Sequence, residues 1–265
     1  MKRVGDVPIN RVVSSNRRKV NEAPLDDDTC PICKGAGYLQ ADVPFGHPFF
    51  ARAIPCECLM HEQEERAFAD LQRLSQLDPF RDKTFENFDP KVPGVDAACR
   101  AAKTFARDPS GWLILCGGVG TGKTHLAAAI ANWAVNNHIR VLFAVVPDLL
   151  DHLRSTFAPS SNIQYDELFE SVRATPLLIL DDLGTENCTP WAGEKLYQIF
   201  NYRYNERLPT VVTTNRPLSS IDERIRSRLR DDSLCEVVEI KAEDYRPRKK
   251  GERKYAKVSK PQYRR

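Results

Sequence analysis

No stretch of this chain is both long and apolar. The longest run free of Asp, Glu, Lys and Arg extends from Thr124 to Ile139, and His125, Asn132, Asn136, Asn137 and His138 interrupt it. A bilayer core needs about 20 consecutive apolar residues, so no membrane span is expected. The opening Met-Lys-Arg-Val-Gly-Asp lacks the apolar region of a secretory signal. These absences point to a cytoplasmic chain. Net charge is also small, +3 over 265 residues. Its distribution is uneven. Residues 1–20 hold six basic residues and one acid, and residues 246–265 hold ten and one. Between them, 23 bases face 34 acids. An acidic body with two basic ends suggests a polyanion held by those ends. The alternative is that the ends only keep the protein in solution.

What is present is organised around Gly117-Gly-Val-Gly-Thr-Gly-Lys123-Thr124, the pattern G-x-x-x-x-G-K-[ST]. The apolar run Trp112–Cys116 leads in as a strand, and Thr124–Trp133 leads out as a helix. Glycines let successive N–H groups converge on one anion, and the helix N-terminus adds partial positive charge there. Lys123 would neutralise the β- and γ-phosphates of a nucleotide, and the Thr124 hydroxyl would bind Mg²⁺.

Strands are expected at about 112–116, 140–145, 176–181, 210–214 and 234–239. Helices are expected near 95–107, 123–137, 147–156, 165–173, 190–206 and 222–230. That alternation predicts an α/β fold with a five-stranded parallel sheet between helices. Ligands of such sheets bind at the carboxyl ends of the strands. Three further segments there carry chemistry. Pro176–Asp182 ends in two acids. Asp181 would hold hydrated Mg²⁺, and Asp182 would orient or deprotonate the attacking water. Val211–Asn215 ends in an amide suited to water and γ-phosphate. Ile221–Arg230 is rich in arginine, and one of its guanidinium groups would stabilise a transferring phosphoryl group on a neighbouring subunit.

Ahead of this domain lie Cys30-Pro-Ile-Cys33 and Cys56-Glu-Cys58. Two residues between the first thiolates let both reach one ion, and Lys34–Gly37 supplies a turn that aims N–H groups at sulfur. Four thiolates fit tetrahedral Zn²⁺, with His61 an alternative fourth ligand. A module this small lacks core, so the metal would supply folding free energy on the order of 10 kcal/mol. The aromatic loop of Phe45, Phe49 and Phe50 reads as its meagre core, the alternative being an exposed docking surface. The remaining cysteines, Cys99, Cys116, Cys188 and Cys235, are scattered. Residues 59–77 carry apolar positions at helical spacing and read as a linker helix.

Together, Gly117–Thr124, Leu180–Gly184, Thr213–Asn215 and Arg226-Ser-Arg228-Leu resemble an AAA+ ATPase. The chain is most similar to the DnaC/DnaI helicase-loader group and the related IstB transposition ATPases. Thr84-Phe-Glu-Asn-Phe-Asp89 resembles the segment that opens the loader domain. The resemblance implies a nucleotide-binding Walker A loop of Gly117, Gly118, Val119, Gly120, Thr121, Gly122, Lys123 and Thr124, with His125 at its end. It implies Walker B at Asp181 and Asp182, sensor 1 at Asn215, an arginine finger at Arg228 and sensor 2 at Arg246. Cofactors would be ATP, Mg²⁺ and Zn²⁺. Partners would be a DnaB-type replicative helicase docked on the zinc module, single-stranded DNA, and further copies of the chain in a ring or spiral.

The expected organisation is a mobile tail (1–28), a zinc-binding module with linker helix (29–78), an AAA+ ATPase domain (79–246) and a basic tail (247–265). Two features depart from the family. Asp182 is one methylene shorter than the usual glutamate, which leaves Glu186 as a fallback base. No helical lid domain follows the last strand. The expected function is an ATP-hydrolysing helicase loader. The alternatives are a transposase helper on duplex DNA and a zinc adaptor whose nucleotide site is only a switch.

Overall fold

The computed structural model describes residues 30–156, 165–186 and 189–246. Both expected tails, 1–28 and 247–265, and Cys188 lie outside the described residues. The chain divides into two compact units, residues 1–69 and 70–265. No helix among the described residues is long and apolar enough to cross a membrane.

In the first unit, β1 (Tyr38–Gln40) and β2 (Ala53–Pro55) form an antiparallel hairpin. Helix α1 (Glu57–Leu74) follows directly. The two cysteine pairs flank the hairpin. The expected aromatic core is not there: Phe45 is 90% exposed and Phe50 43% exposed. Their rings pack edge to face on each other at 5.4 Å. Phe49, the third ring, is half-buried. Among the described residues of the unit, the buried positions are instead Cys33, Cys56 and Ala41.

The second unit begins within α1, whose Leu71 and Leu74 are buried in its core. It continues through α2 (Asp96–Arg107), β3 (Trp112–Gly117), α3 (Lys123–Asn136), β4 (Val141–Val145) and α4 (Val146–Ser155). Then come α5 (Tyr165–Ala174), β5 (Leu177–Asp181), α6 (Pro190–Asn205), β6 (Thr210–Thr214), α7 (Glu223–Leu229) and β7 (Cys235–Ile240). The sheet is parallel throughout, in the order β4-β5-β6-β3-β7. This is the expected five-stranded α/β architecture, and among the described residues no helix follows β7.

Each central strand is apolar on consecutive positions because both faces are covered. Successive residues point to opposite faces. Ile114, Leu178, Leu180 and Val212 therefore meet α4 to α7, while Leu113, Leu115, Ile179 and Val211 meet α2 and α3. Each such buried aliphatic side chain stabilises the fold by about 1.5–3 kcal/mol. Thr189 caps α6 by accepting from the Ala192 amide, with Pro190 at the first helical position. Asp222 caps α7 the same way, from Arg224 and Ile225. One consequence of the strand order governs function. β6 lies between β5 and β3, so its last residues stand between the glycine loop and the acidic end of β5.

Candidate nucleotide site and metal centre

The glycine loop leaves β3 at Gly117 and enters α3 at Lys123, with Gly122 in the left-handed region at φ 97°. Lys123 is almost fully buried, and its ammonium donates to the carbonyls of Gly117 (3.0 Å) and Gly118 (2.6 Å). Burial lowers its pKa, while the charges of Asp182 and Asp181 act the other way. The Arg246 guanidinium adds to the lowering, so this expected sensor lies close enough for its charge to be felt at the loop lysine. The segment carrying it is tied down. The Tyr245 amide donates to the Gly120 carbonyl at 3.1 Å, and the Arg246 amide donates to the Asp244 carboxylate at 3.0 Å.

Asp181 closes β5 and is buried. The Thr124 hydroxyl donates to its Oδ2 at 3.0 Å, and the Thr213 hydroxyl donates to its Oδ1 at 2.6 Å. Burial pushes the Asp181 carboxyl above the ordinary range, and these two hydrogen bonds oppose that shift. The next residue, Asp182, adopts a left-handed conformation at φ 58°, which aspartate tolerates better than most side chains. Its amide donates to Thr213 Oγ1 at 3.0 Å. The fallback acid Glu186 accepts from the Gly184 amide at 2.7 Å. Asn215 is half-buried, one residue past the end of β6. Thus Lys123, Thr124, Asp181 and Asp182 are brought to the carboxyl edge of the sheet, with Arg246 close enough to act on the Lys123 charge and Asn215 just past the end of β6.

His125 points elsewhere. Its Nε2 hydrogen-bonds the Thr84 carbonyl at 2.9 Å and its ring meets Phe88 edge to face at 5.1 Å. Burial lowers its pKa. Phe88 also covers the loop, since a β-carbon on Gly122 would come within 3.0 Å of its ring. The Thr84–Asp89 segment is thereby fastened along the start of α3. Arg228 lies against α6 of its own chain, stacked on Tyr197 at 5.0 Å and hydrogen-bonded to Asn201 and to the Arg224 carbonyl. Arg224 pairs with Glu194 and Asp222, and Arg226 donates to the Ser219 carbonyl at 3.0 Å.

In the sequence, Thr213 has no role of its own beyond the Thr213–Asn215 segment, yet it bonds to both Asp181 and the Asp182 amide. Its signal was positional: next to last on β6, two residues before Asn215.

In the first unit, the sulfurs of Cys30, Cys33, Cys56 and Cys58 all lie within 4.8 Å of one another. A tetrahedral Zn²⁺ with sulfur at about 2.3 Å sets its ligands about 3.8 Å apart. The Cys30–Cys56 separation is 3.9 Å and the Cys33–Cys58 separation 3.3 Å, so the four residues fit the ion with little adjustment. The Lys34–Gly37 turn does aim an N–H at sulfur, the Gly37 amide donating to Cys33 Sγ at 3.3 Å. His61 stands apart from this group and pairs with Glu65 at 3.4 Å on the exposed side of α1.

Comparison with known proteins places the chain among ATP-binding proteins. Over 177 residues the chain is 28% identical to the replicative helicase loader DnaC of Escherichia coli strain K12, covering 64% of this chain and 71% of that one. The likeness to the loader DnaC of Buchnera aphidicola subsp. Schizaphis graminum is 29% over 154 residues, which is 56% of this chain and 63% of that relative. The chain therefore spans less than two thirds of the length of that relative. Among solved structures, the crystal structure of the DnaC helicase loader superposes with a TM-score of 0.54 at 25% identity, over 62% of this chain and 99% of that one. The crystal structure of DnaI gives 0.51 at 27% identity, over 63% and 92%. Residues 56–253 match the family described as IstB-like ATP binding protein. That is most of the chain, and the protein belongs to the IstB-like ATP-binding family.

Proposed function

We propose that this protein binds and hydrolyses Mg²⁺-ATP and uses the cycle to place a replicative helicase on single-stranded DNA. One observation carries the chemistry: Thr124 and Asp181 share a hydrogen bond at the foot of a glycine loop that already encloses Lys123. Lys123 exchanges the two loop carbonyls for phosphate oxygens, a stronger charge-assisted bond. Mg²⁺ held by Thr124 and Asp181 would neutralise charge on the phosphates. Asp182 orients the attacking water, Asn215 hydrogen-bonds water and γ-phosphate, and Arg246 approaches the phosphates from the covering segment. Arg228 serves the site of a neighbouring copy in a ring or spiral. To do so, it exchanges Tyr197 and Asn201 for phosphate. The four-cysteine module, holding Zn²⁺, docks the helicase.

The names borne by the relatives support the loader reading, as does the cysteine module ahead of the ATPase unit. A transposase helper acting on duplex DNA is the second reading, and the family match itself favours it. The test is the ATPase rate of the full chain with single-stranded DNA, with duplex DNA, and with the host's replicative helicase. A loader responds to single-stranded DNA and to the helicase. A helper responds to duplex DNA. Negligible single-turnover hydrolysis under every condition would leave a nucleotide switch.

A further inference from the structure

β6 begins with Thr210 and ends with Thr213 and Thr214, and their hydroxyls do different things. Thr210 donates to the Leu208 carbonyl at 2.9 Å and accepts from the Arg203 guanidinium at 2.8 Å. Thr214 donates to the Leu183 carbonyl at 2.8 Å. Both brace the fold. Thr213, fully buried between β5 and β3, instead donates to Asp181 Oδ1 and accepts from the Asp182 amide. We propose that Thr213 is the positioning residue of the nucleotide site, its single hydroxyl fixing both acids of the β5 terminus in the geometry that receives the cation. The proposal rests on reading the site as one for Mg²⁺-ATP.

The argument follows from which hydroxyl is free to hold. Asp181 has two donors, Thr124 and Thr213. Thr124 is expected to offer a lone pair to Mg²⁺ while its proton stays on Asp181, so its position follows the ion, whereas Thr213 is held by its strand whether or not the ion is bound. Thr213 lies on a central strand, has no route to solvent, and makes the shorter bond. A hydroxyl both donates and accepts, so the same atom that aims Asp181 also secures the left-handed turn at Asp182. Remove it, and Oδ1 is a buried acceptor without a donor while the Asp182 amide loses its partner. Groups that orient metal-binding side chains change metal affinity through those side chains.

The experiment titrates Mg²⁺ into the full-length protein with a fluorescent ATP analogue, from a chelator-buffered baseline. Thr213→Val keeps the volume and removes the hydroxyl. Its metal-free nucleotide affinity should stay close to wild type, while the Mg²⁺ concentration for half-maximal response rises about 10–100-fold. Thr213→Ser keeps the hydroxyl and loses a methyl. It should melt at a lower temperature than wild type, yet respond to Mg²⁺ as wild type does. A purely structural threonine would give the reverse ranking. If Thr213→Val does not fold, Thr213→Ala removes the same hydroxyl without placing a methyl against the carboxylate. Equal Mg²⁺ responses of the hydroxyl-free variant and wild type would overturn the role of Thr213 alone. A wild-type protein whose nucleotide binding ignores Mg²⁺ would overturn the reading of the site, and this proposal with it.

Discussion

A β-carbon placed on Gly120 would fall 1.7 Å from the Asp244 carboxylate oxygen. Loop and covering segment are therefore in direct contact at a loop position where no side chain fits. The Tyr245 amide bonds the carbonyl of the same glycine. This contact ties Asp244 and Tyr245, the residues just before Arg246, to the loop.

Gly120→Ala should accordingly displace residues 241–246. The substitution also forces alanine to φ 73°, which costs about 1–2 kcal/mol. ATP affinity should fall, and trypsin should cut more readily after Lys241, which is exposed and followed by Ala242. Gly120→Ala with Asp244→Gly relieves the clash but not the strained φ, so it should recover part of the affinity. Identical affinities for the single and double variants would show that Asp244 is not what the side chain meets.

Much of this fold was legible because a parallel strand buried on both faces must be apolar at consecutive positions. Trp112–Leu115 and Leu177–Leu180 announce themselves that way. Strand order did not. It depends on crossovers that leave no local pattern, and it alone places Thr213 beside Asp181. A threonine in a strand needs no functional reason, since β-branched residues suit strands. Arg203 was equally silent. It is fully buried and donates to Thr210, Arg173, Thr175 and Pro209, whereas its sequence neighbours suggest an ordinary helix surface. Phe45 and Phe50 misled for the opposite reason: aromatic rings in a small module usually form its core, and here the cysteine cluster replaces that core.

The cysteine cluster should hold one Zn²⁺ per chain in protein purified without chelator. Elemental analysis is the measurement. His61→Ala should leave occupancy unchanged, because His61 pairs with Glu65 outside the cluster. Cys58→Ser should lower it. Full occupancy in Cys58→Ser with loss in His61→Ala would reassign the fourth ligand.

His125 makes stability depend on pH. Its folded pKa lies below the ordinary histidine value through burial, so the unfolded chain binds the proton more readily. The neutral ring thus contributes stability above about pH 6.5, and that contribution is lost as pH falls through the unfolded pKa toward the folded one. Thermal melting between about pH 7 and 5.5 should show a steeper decline for wild type than for His125→Gln. Parallel curves would mean that His125 titrates alike in the folded and unfolded states.

Arg228→Ala should lose the stacking on Tyr197, worth about 0.5–1 kcal/mol at a half-exposed site. ATP binding should persist and hydrolysis should fail. Mixing Arg228→Ala with Lys123→Ala should restore some hydrolysis, since one subunit supplies the arginine and the other the intact loop. A flat, inactive mixing curve from co-assembled variants would rule out a shared site.

The central claim is that the loop around Lys123 is an ATP site, and direct titration of ATP with Mg²⁺ onto wild type and Lys123→Ala tests it. Lys123 is the cation enclosed by the loop carbonyls of Gly117 and Gly118, so its removal should abolish tight binding while the far-ultraviolet spectrum and melting stay those of a folded protein. An affinity within about threefold of wild type in that folded variant would contradict the account.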